Sequence, residues 1–174
     1  MNSAKFRLSA LRCTRTTFVQ ILGTPAVFAG HLARSRTLQQ YLSPAESSES
    51  SPFHGAIYSG RWGKTAWCWW APDFRLRKLF IGQMVTSRIQ GMQKPIAKLL
   101  HLAVAEACAL GLKEVVMWQP TADVREAAGM LADELGAGVQ ALFKERIENI
   151  PCVRLHEQNK REVSLVEPQF YAWW

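Results

Sequence analysis

The side chains that could act as acids or bases in this chain of 174 residues are few and scattered. Asp133 and Glu134 are neighbours, and paired carboxyl groups can divide the roles of acid and base when their environments differ. They fall at the polar end of a predicted helix, so solvated surface acids are the simpler interpretation. Tyr171 could donate a proton if the C-terminal tail folds over a site, and otherwise packs as an aromatic residue. The sequence therefore assigns no catalytic residue.

Three further side chains have positions that bear on function. His101 lies on the predicted helix face away from the apolar residues, where a surface histidine is expected, and His54 lies in a loop. Trp118 ends a predicted strand, and ligands in open sheets bind at the carboxyl ends of strands. Trp118 therefore either walls a pocket or packs in the core. Sequences typical of phosphate-binding loops, zinc proteases and serine hydrolases are absent.

The cysteines are too far apart in sequence for a zinc knuckle or a redox pair. Cys68, Cys108 and Cys152 each lie in an apolar pattern, which predicts buried free thiols and no metal site. Free thiols favour a reducing compartment, so a cytoplasmic location is predicted. Residues 1–45 indicate a mitochondrial alternative, because they contain no acid and interleave basic residues with serine, as transit peptides do.

Composition and charge indicate a globular chain. Hydrophobic residues make up 48% and charged residues 20%, which is typical of folded domains. Every apolar run falls short of the roughly 18 residues that cross a bilayer, so no membrane is expected. The net charge of +7 permits an anionic cofactor or nucleic acid. Because neither a basic and aromatic RNA motif nor a helix-turn-helix pattern is present, nucleic acid is not an expected partner.

The chain divides into two parts by composition. Residues 1–52 are predicted to be a basic N-terminal extension and a Ser-rich linker, and residues 53–174 a single domain. Residues 1–30 show little apolar periodicity, so little regular structure is expected there. Residues 31–42 predict a short helix, and the polar, proline-bracketed stretch 43–52 predicts a loop.

Strands and helices alternate through the predicted domain, and a proline at 72 is expected to end the second strand. Strands are predicted at 55–59, 65–70, 79–85, 114–118, 139–143 and 152–156, and helices at 94–110 and 122–135. The first two strands form a predicted hairpin. A helix that connects strands 79–85 and 114–118 within so few residues implies a right-handed crossover, so these two strands are predicted to be parallel.

Short motifs in a fixed order resemble those of one family. They are His-Leu-Ala-Arg at 31–34, Gly-Ala-Ile-Tyr at 55–58, Trp-Cys-Trp-Trp at 67–70, Trp-Gln-Pro-Thr at 118–121 and the aromatic ending at 170–174. The chain resembles the C-terminal domain of fungal lysine N-acetyltransferases of the lysine-degradation type. The resemblance implies an α/β (α+β) domain with a Gcn5-related N-acetyltransferase-like central mixed sheet and helices on both faces. It also implies acetyl-CoA as cofactor and an amine, lysine in the family, as acetyl acceptor.

The resemblance places the cofactor at the junction between strand 79–85 and the following helix. Relatives carry Arg/Gln-x-x-Gly-x-Gly/Ala there, and its backbone N–H groups hold the pyrophosphate. This chain has Gln-Gly-Met-Gln-Lys-Pro at 90–95, in which Gly91 alone survives and Pro95 lacks an N–H group. The cofactor-binding residues that the resemblance assigns are Met84, Val85, Arg88, Gly91, Lys94 and Lys98. Acetyl-CoA is therefore expected to bind weakly, or not at all, to this chain alone.

The resemblance further implies catalytic groups that this chain replaces. Relatives often carry a tyrosine near the end of the second helix, where this chain has Ala132, and a carboxylate in the central strand, where it has Gly82 and Gln83. Two interpretations follow. The chain is a domain of an acetyl-CoA-dependent N-acyltransferase, or it is a degenerate, non-catalytic domain that shapes a substrate pocket or packs against a partner. The expected partner is the N-terminal acyltransferase half of the fungal enzymes, and the chain is expected to correspond to the second half.

Overall fold

The computed structural model describes residues 25–42 and 54–144, and the backbone pairing of residues 16–20 and 162–166. In chain order the elements are β1 (Thr16–Gln20), α1 (Pro25–Leu42), β2 (Gly55–Ser59), β3 (Thr65–Asp73), β4 (Lys78–Thr86), α2 (Gln93–Ala109), β5 (Glu114–Met117), α3 (Ala122–Leu135) and β6 (Glu162–Val166).

Four of the strands form the central mixed sheet, in the order β2-β3-β4-β5. Strands β2, β3 and β4 pair in antiparallel fashion, and β5 pairs in parallel with β4, with Lys78 opposite Glu114. The predicted hairpin and the predicted parallel pair are both confirmed. Strands β1 and β6 form a separate parallel pair. The mixed sheet with its helices confirms the predicted fold class.

Helix α2 covers one face of the sheet because its apolar side chains repeat at the helical period. The residues of α2 that this packing buries are Pro95, Ile96, Leu99, Leu100, Ala103 and Ala107. Pro95 lies in the first turn, where a proline costs no helical hydrogen bond. Helix α3 packs mainly on α2 and buries Val124, Ala127 and Leu131. The two helices predicted in this region are confirmed.

Helix α1 packs against β3, and its buried residues are polar. It begins at Pro25, ahead of the predicted start at residue 31, and it buries His31, Ser35 and Gln39. The Ser35 hydroxyl donates a hydrogen bond of 2.6 Å to the carbonyl of Pro72. The helix also contacts Trp69, which points away from α2 because side chains alternate along a strand. Helices therefore lie against both faces of the sheet.

Strand β3 continues through Pro72 to Asp73, so the prediction that Pro72 ends it was wrong. The physical reason is the position of β2, whose first residue pairs with Trp69. The Trp70 amide still donates to the His54 carbonyl at 2.9 Å, but beyond it no strand of the described residues pairs with β3 on this side. An edge strand tolerates a residue without an N–H group.

Other predictions also need correction. Residues 139–143 form no strand. The chain leaves α3 through Gly136, with a φ of 72°, makes a short 3-10 turn at Gly136–Gly138 and is irregular from there to residue 144. The predicted strand 152–156 lies outside the described residues. Residues 1–30 were expected to carry little regular structure, but β1 and the start of α1 lie there.

Within 25–42 and 54–144, no helix combines the length and hydropathy that crossing a membrane requires.

The two described cysteines differ in burial. Cys68 is buried as predicted, but Cys108 is exposed, because it lies one residue beyond the buried Ala107 on α2. Burial raises the pKa of the Cys68 thiol to about 12.

We expect iodoacetamide to label Cys108 well before Cys68 in the folded chain, because the thiolate is the reactive form. Peptide mass mapping measures this order, and equal labelling of the two cysteines would contradict it.

Candidate cofactor site

A gap opens between β4 and β5 at their carboxyl ends. The last paired residues are Ile81 and Met117, whereas β4 continues to Thr86. A β-bulge accompanies the end of this pairing, since Trp69 pairs with Gln83 and Trp70 pairs with Ile81. The extra residue is Gly82, and bulges of this kind bend a strand. Residues 82–86 of β4 therefore do not pair with β5.

The ring of Trp69 covers Gly82 on the face away from α2. A Cβ atom built on Gly82 would lie 2.1 Å from the ring, closer than real Cβ contacts allow. On α1, Phe28 packs edge-on against Trp69 at 5.0 Å between ring centroids, and His31 lies at 5.6 Å. The bulge in β4 is therefore linked to α1 through one aromatic side chain.

Past the end of β4, an open depression of about 710 Å³ separates the β4–α2 loop from the start of α3. Its lining residues are Thr86, Ser87, Arg88, Ile89, Gln90, Gly91, Gln93 and Asp123. Gly91 has a φ of 76°, a conformation that glycine adopts without strain. The depression is where the resemblance places the pyrophosphate of acetyl-CoA.

The N-terminus of α2 offers this depression fewer N–H groups than a typical helix. Met92 precedes the helix and provides no side-chain cap, and the Ile96 amide donates to the Met92 carbonyl at 2.9 Å, which is the first ordinary bond of the helix. Of the four residues before that donor, Met92, Gln93 and Lys94 have an N–H group and Pro95 has none. A helix ordinarily leaves four N–H groups without partners in its first turn. The backbone therefore fits a pyrophosphate only in part.

The two sides of the depression carry opposite charge. Arg88 stands on the β4–α2 loop, and the Lys64 ammonium donates to the carbonyl of Gly91 at 3.4 Å. On the α3 side, the side-chain amide of Gln93 donates to Asp123 Oδ1 at 3.4 Å and to Glu126 Oε2 at 3.2 Å. These two carboxylates oppose the approach of a phosphate on their side.

Three of the predicted cofactor residues lie at or beside the depression. Arg88 and Gly91 line it, and Val85 lies in β4 just before it. The sequence did not point to Gln93, Asp123 or Glu126, because a contact between two helix starts some thirty residues apart leaves no periodic signal in the sequence.

The other three predicted residues point elsewhere. Met84 is buried in the core opposite Cys68. Lys94 is exposed in the first turn of α2 and does not line the depression. The Lys98 ammonium lies 5.9 Å above the ring of Tyr58, on the β2 side of the sheet.

The remaining candidates are mostly surface residues. Asp133, Glu134 and His101 are exposed, as expected, and Trp118 is half-buried directly after β5. Tyr171 lies outside the described residues. Within 25–42 and 54–144, no three His, Cys, Asp or Glu side chains cluster as a metal ion would require.

His54 borders a small cavity of about 20 Å³ between α1 and the end of α2, which Arg36 and Glu106 also line. Its Nδ1 atom is buried without a hydrogen-bond partner among the described residues. Burial lowers the pKa of His54 below its ordinary value of 6.5, and Arg36 lowers it further, while Glu106 acts in the opposite direction.

This shift predicts a loss of stability in mild acid. Below pH 6.5 the unfolded chain takes up a proton at His54 more readily than the folded chain, so the free energy of unfolding falls from there down to the lowered pKa. Urea unfolding at several values between about pH 5 and pH 8 measures this dependence. The His54→Gln variant should flatten it, and a domain that becomes more stable on acidification would contradict it.

The mixed sheet with its helices fits the acyltransferase-like fold that the motifs predict. The chain matches the family described as the LYC1 GNAT-like C-terminal domain over residues 3–174, and it belongs to this family. The resemblance inferred from the motifs is thereby confirmed. The GNAT family is one of acyl transfer, and its domains generally bind acetyl-CoA. The chain has no match among curated proteins or solved structures.

Proposed function

We propose that this chain is the C-terminal domain of a lysine N-acetyltransferase-like protein. The complete protein transfers an acetyl group from acetyl-CoA to an amine, with lysine as the acceptor. This domain holds acetyl-CoA weakly and shapes the site without supplying an acid or a base. The observation that carries the proposal is the mixed composition of the depression, where a partial backbone clasp faces the carboxylate of Asp123, with that of Glu126 beside it.

The charge distribution supports weak binding. A pyrophosphate in the depression would meet Gln93 at the start of α2 and the guanidinium of Arg88, both of which line it. It would also approach Asp123 and Glu126 on the opposite side, where both carboxylates accept hydrogen bonds from the side-chain amide of Gln93. Since these carboxylates are exposed, their repulsion is moderate and weakens with salt. Together, these attractive and repulsive contacts favour a site that receives the cofactor in the family's position but binds it weakly.

The residues that stand where relatives carry catalytic groups support a non-catalytic role. Gly82 has no side chain, Gln83 carries a neutral amide, and Ala132 carries only a methyl group. None of these three takes up or releases a proton near neutral pH. What the domain can contribute is position, since holding an amine close to a thioester accelerates transfer without acid–base groups.

An exposed apolar row supports the docking of a partner half. Ile57 pairs with Trp67, and Trp67 pairs with Val85, so the three side chains cross the sheet on the face away from α2. Ile57 is 72% exposed and Trp67 is 38% exposed. Exposed apolar patches of this kind commonly mark interaction sites, and we assign this one to the N-terminal half of the complete protein.

An acetyl-transfer assay tests the proposal. The chain alone, given acetyl-CoA and lysine, is expected to release CoA thiol no faster than buffer, whereas a protein that contains both halves is expected to form acetyl-lysine. Turnover by the chain alone would overturn the non-catalytic role and favour the alternative, an acetyltransferase complete in this domain. Lack of turnover by the two-half protein with any amine would overturn the proposal as a whole.

A further inference from the structure

The turn between β2 and β3 holds a tryptophan in an unfavourable backbone conformation. Trp62 has φ 63° and ψ 30°, Gly63 has φ 72°, and the Lys64 amide donates to the Arg61 carbonyl at 3.3 Å. Positive φ at both central residues is the geometry of a type I′ turn, for which Asn-Gly is the preferred pair. A tryptophan at the first position is therefore strained.

Packing does not explain the choice of tryptophan. Its side chain is 89% exposed, the highest value among the large apolar side chains of the described residues. A strained conformation that also presents a large aromatic ring to water makes no contribution to folding. Such positions commonly serve binding, and the strain is then part of how the site is built.

The turn adjoins the basic side of the depression. The Lys64 ammonium reaches the carbonyl of Gly91 at 3.4 Å. Next to it, the Ser87 amide donates to the Thr65 carbonyl at 2.8 Å, and the Thr65 amide donates to the Ser87 hydroxyl at 3.2 Å. The turn that carries Trp62 is thus fixed to the loop that borders the depression.

The distribution of charged side chains around the depression indicates on which side the phosphate groups of a ligand would lie. Arg61, Lys64 and Arg88 lie on the Trp62 side, and residues 54–72 contain no acid. Asp123 and Glu126 lie on the other side. Phosphate groups are therefore drawn toward the turn and away from α3, which brings whatever the phosphates carry next to an exposed indole ring.

We propose that Trp62 stacks on the purine base of an adenine nucleotide whose diphosphate lies along the basic side of the depression. The proposal rests on the proposed function, because acetyl-CoA contains such a nucleotide, and it identifies the group that retains the remaining affinity. Stacking of a base on an aromatic side chain tolerates many geometries and typically strengthens binding by about tenfold.

Titration of the full chain with ADP, and separately with inorganic pyrophosphate, tests the stacking. Proton–nitrogen correlation spectra resolve the indole N–H signals, and the Trp62 signal is assigned by its loss in the Trp62→Asn variant. We expect millimolar ADP to shift the Trp62 signal, and pyrophosphate to shift it much less. The variant is expected to fold, because asparagine suits the turn, and to bind ADP about tenfold more weakly while binding pyrophosphate equally.

The Tyr41→Ala variant is the matched control, because Tyr41 is 81% exposed at the end of α1 and should leave ADP binding unchanged. Equal ADP affinity in the parent chain and in Trp62→Asn would overturn the proposal, as would the absence of any ADP-dependent shift of Trp62. ADP carries no thioester, so this outcome is distinct from failure of the proposed acetyl transfer.

Discussion

Replacing Gly82 with alanine is expected to destabilise the domain by about 1–3 kcal/mol, the usual cost of forcing a methyl group into a filled space. The new Cβ would lie 2.1 Å from the Trp69 ring. The ring cannot move aside freely, because Phe28 packs on it from α1. The substitution should therefore loosen α1 as well as the bulge, and urea unfolding measures the loss.

The control lies in α3. Gly129 has no atom within 4 Å of its built Cβ, so alanine fits there and should stabilise the helix by about 1 kcal/mol. Shortening the ring with Trp69→Phe should recover part of the loss in Gly82→Ala, because the two residues are in contact and their effects are coupled. Equal stability of the Gly82→Ala and Gly129→Ala variants would rule out the packing described for Trp69.

Acetyl-CoA is expected to bind this chain about 150-fold more weakly than it binds a domain with the full glycine motif. Each charge-assisted hydrogen bond to the pyrophosphate is worth about 1.5–3 kcal/mol. We expect the loss of two such bonds, because Gln93 and Pro95 stand where the motif has small residues and Pro95 has no N–H group, and 1.4 kcal/mol corresponds to about a factor of ten. Arg88 returns part of this as an exposed point charge, while Asp123 and Glu126 act against it.

The central sheet and its two following helices could be predicted because their signals are local and periodic. The buried face of α2 follows the helical repeat, and the bounds of α3 were predicted without error. The parallel pairing of β4 with β5 followed from the short helical connection between them. These features depend on neighbours in sequence, which a single chain displays directly.

Helix α1 was only partly predictable, because its signals are neither periodic nor local in sequence. Its buried side chains are His31, Ser35 and Gln39, so it has no apolar stripe to mark where it starts or which face it buries. Its packing includes a hydrogen bond to Pro72 and contacts with Trp69, both of which are distant in sequence.

The residues predicted for the cofactor site are brought together only in part, and their role in binding stays a prediction. Arg88 and Gly91 do line the depression, because the resemblance located the loop. The carboxylates of Asp123 and Glu126 enter from α3, and the Trp62 turn enters from the other side. Neither arrangement could be read before the elements were placed in space.

Calorimetric titration of the full chain with acetyl-CoA at physiological salt tests the central claim most directly. The account predicts a dissociation constant near the millimolar range, tightened several-fold when Asp123→Asn and Glu126→Gln remove the opposing charges. The exposed Lys94, changed to glutamate, should have a small effect because it does not line the depression. Low-micromolar binding by the unaltered chain, lost in Lys94→Glu, would contradict the account and indicate an intact cofactor site.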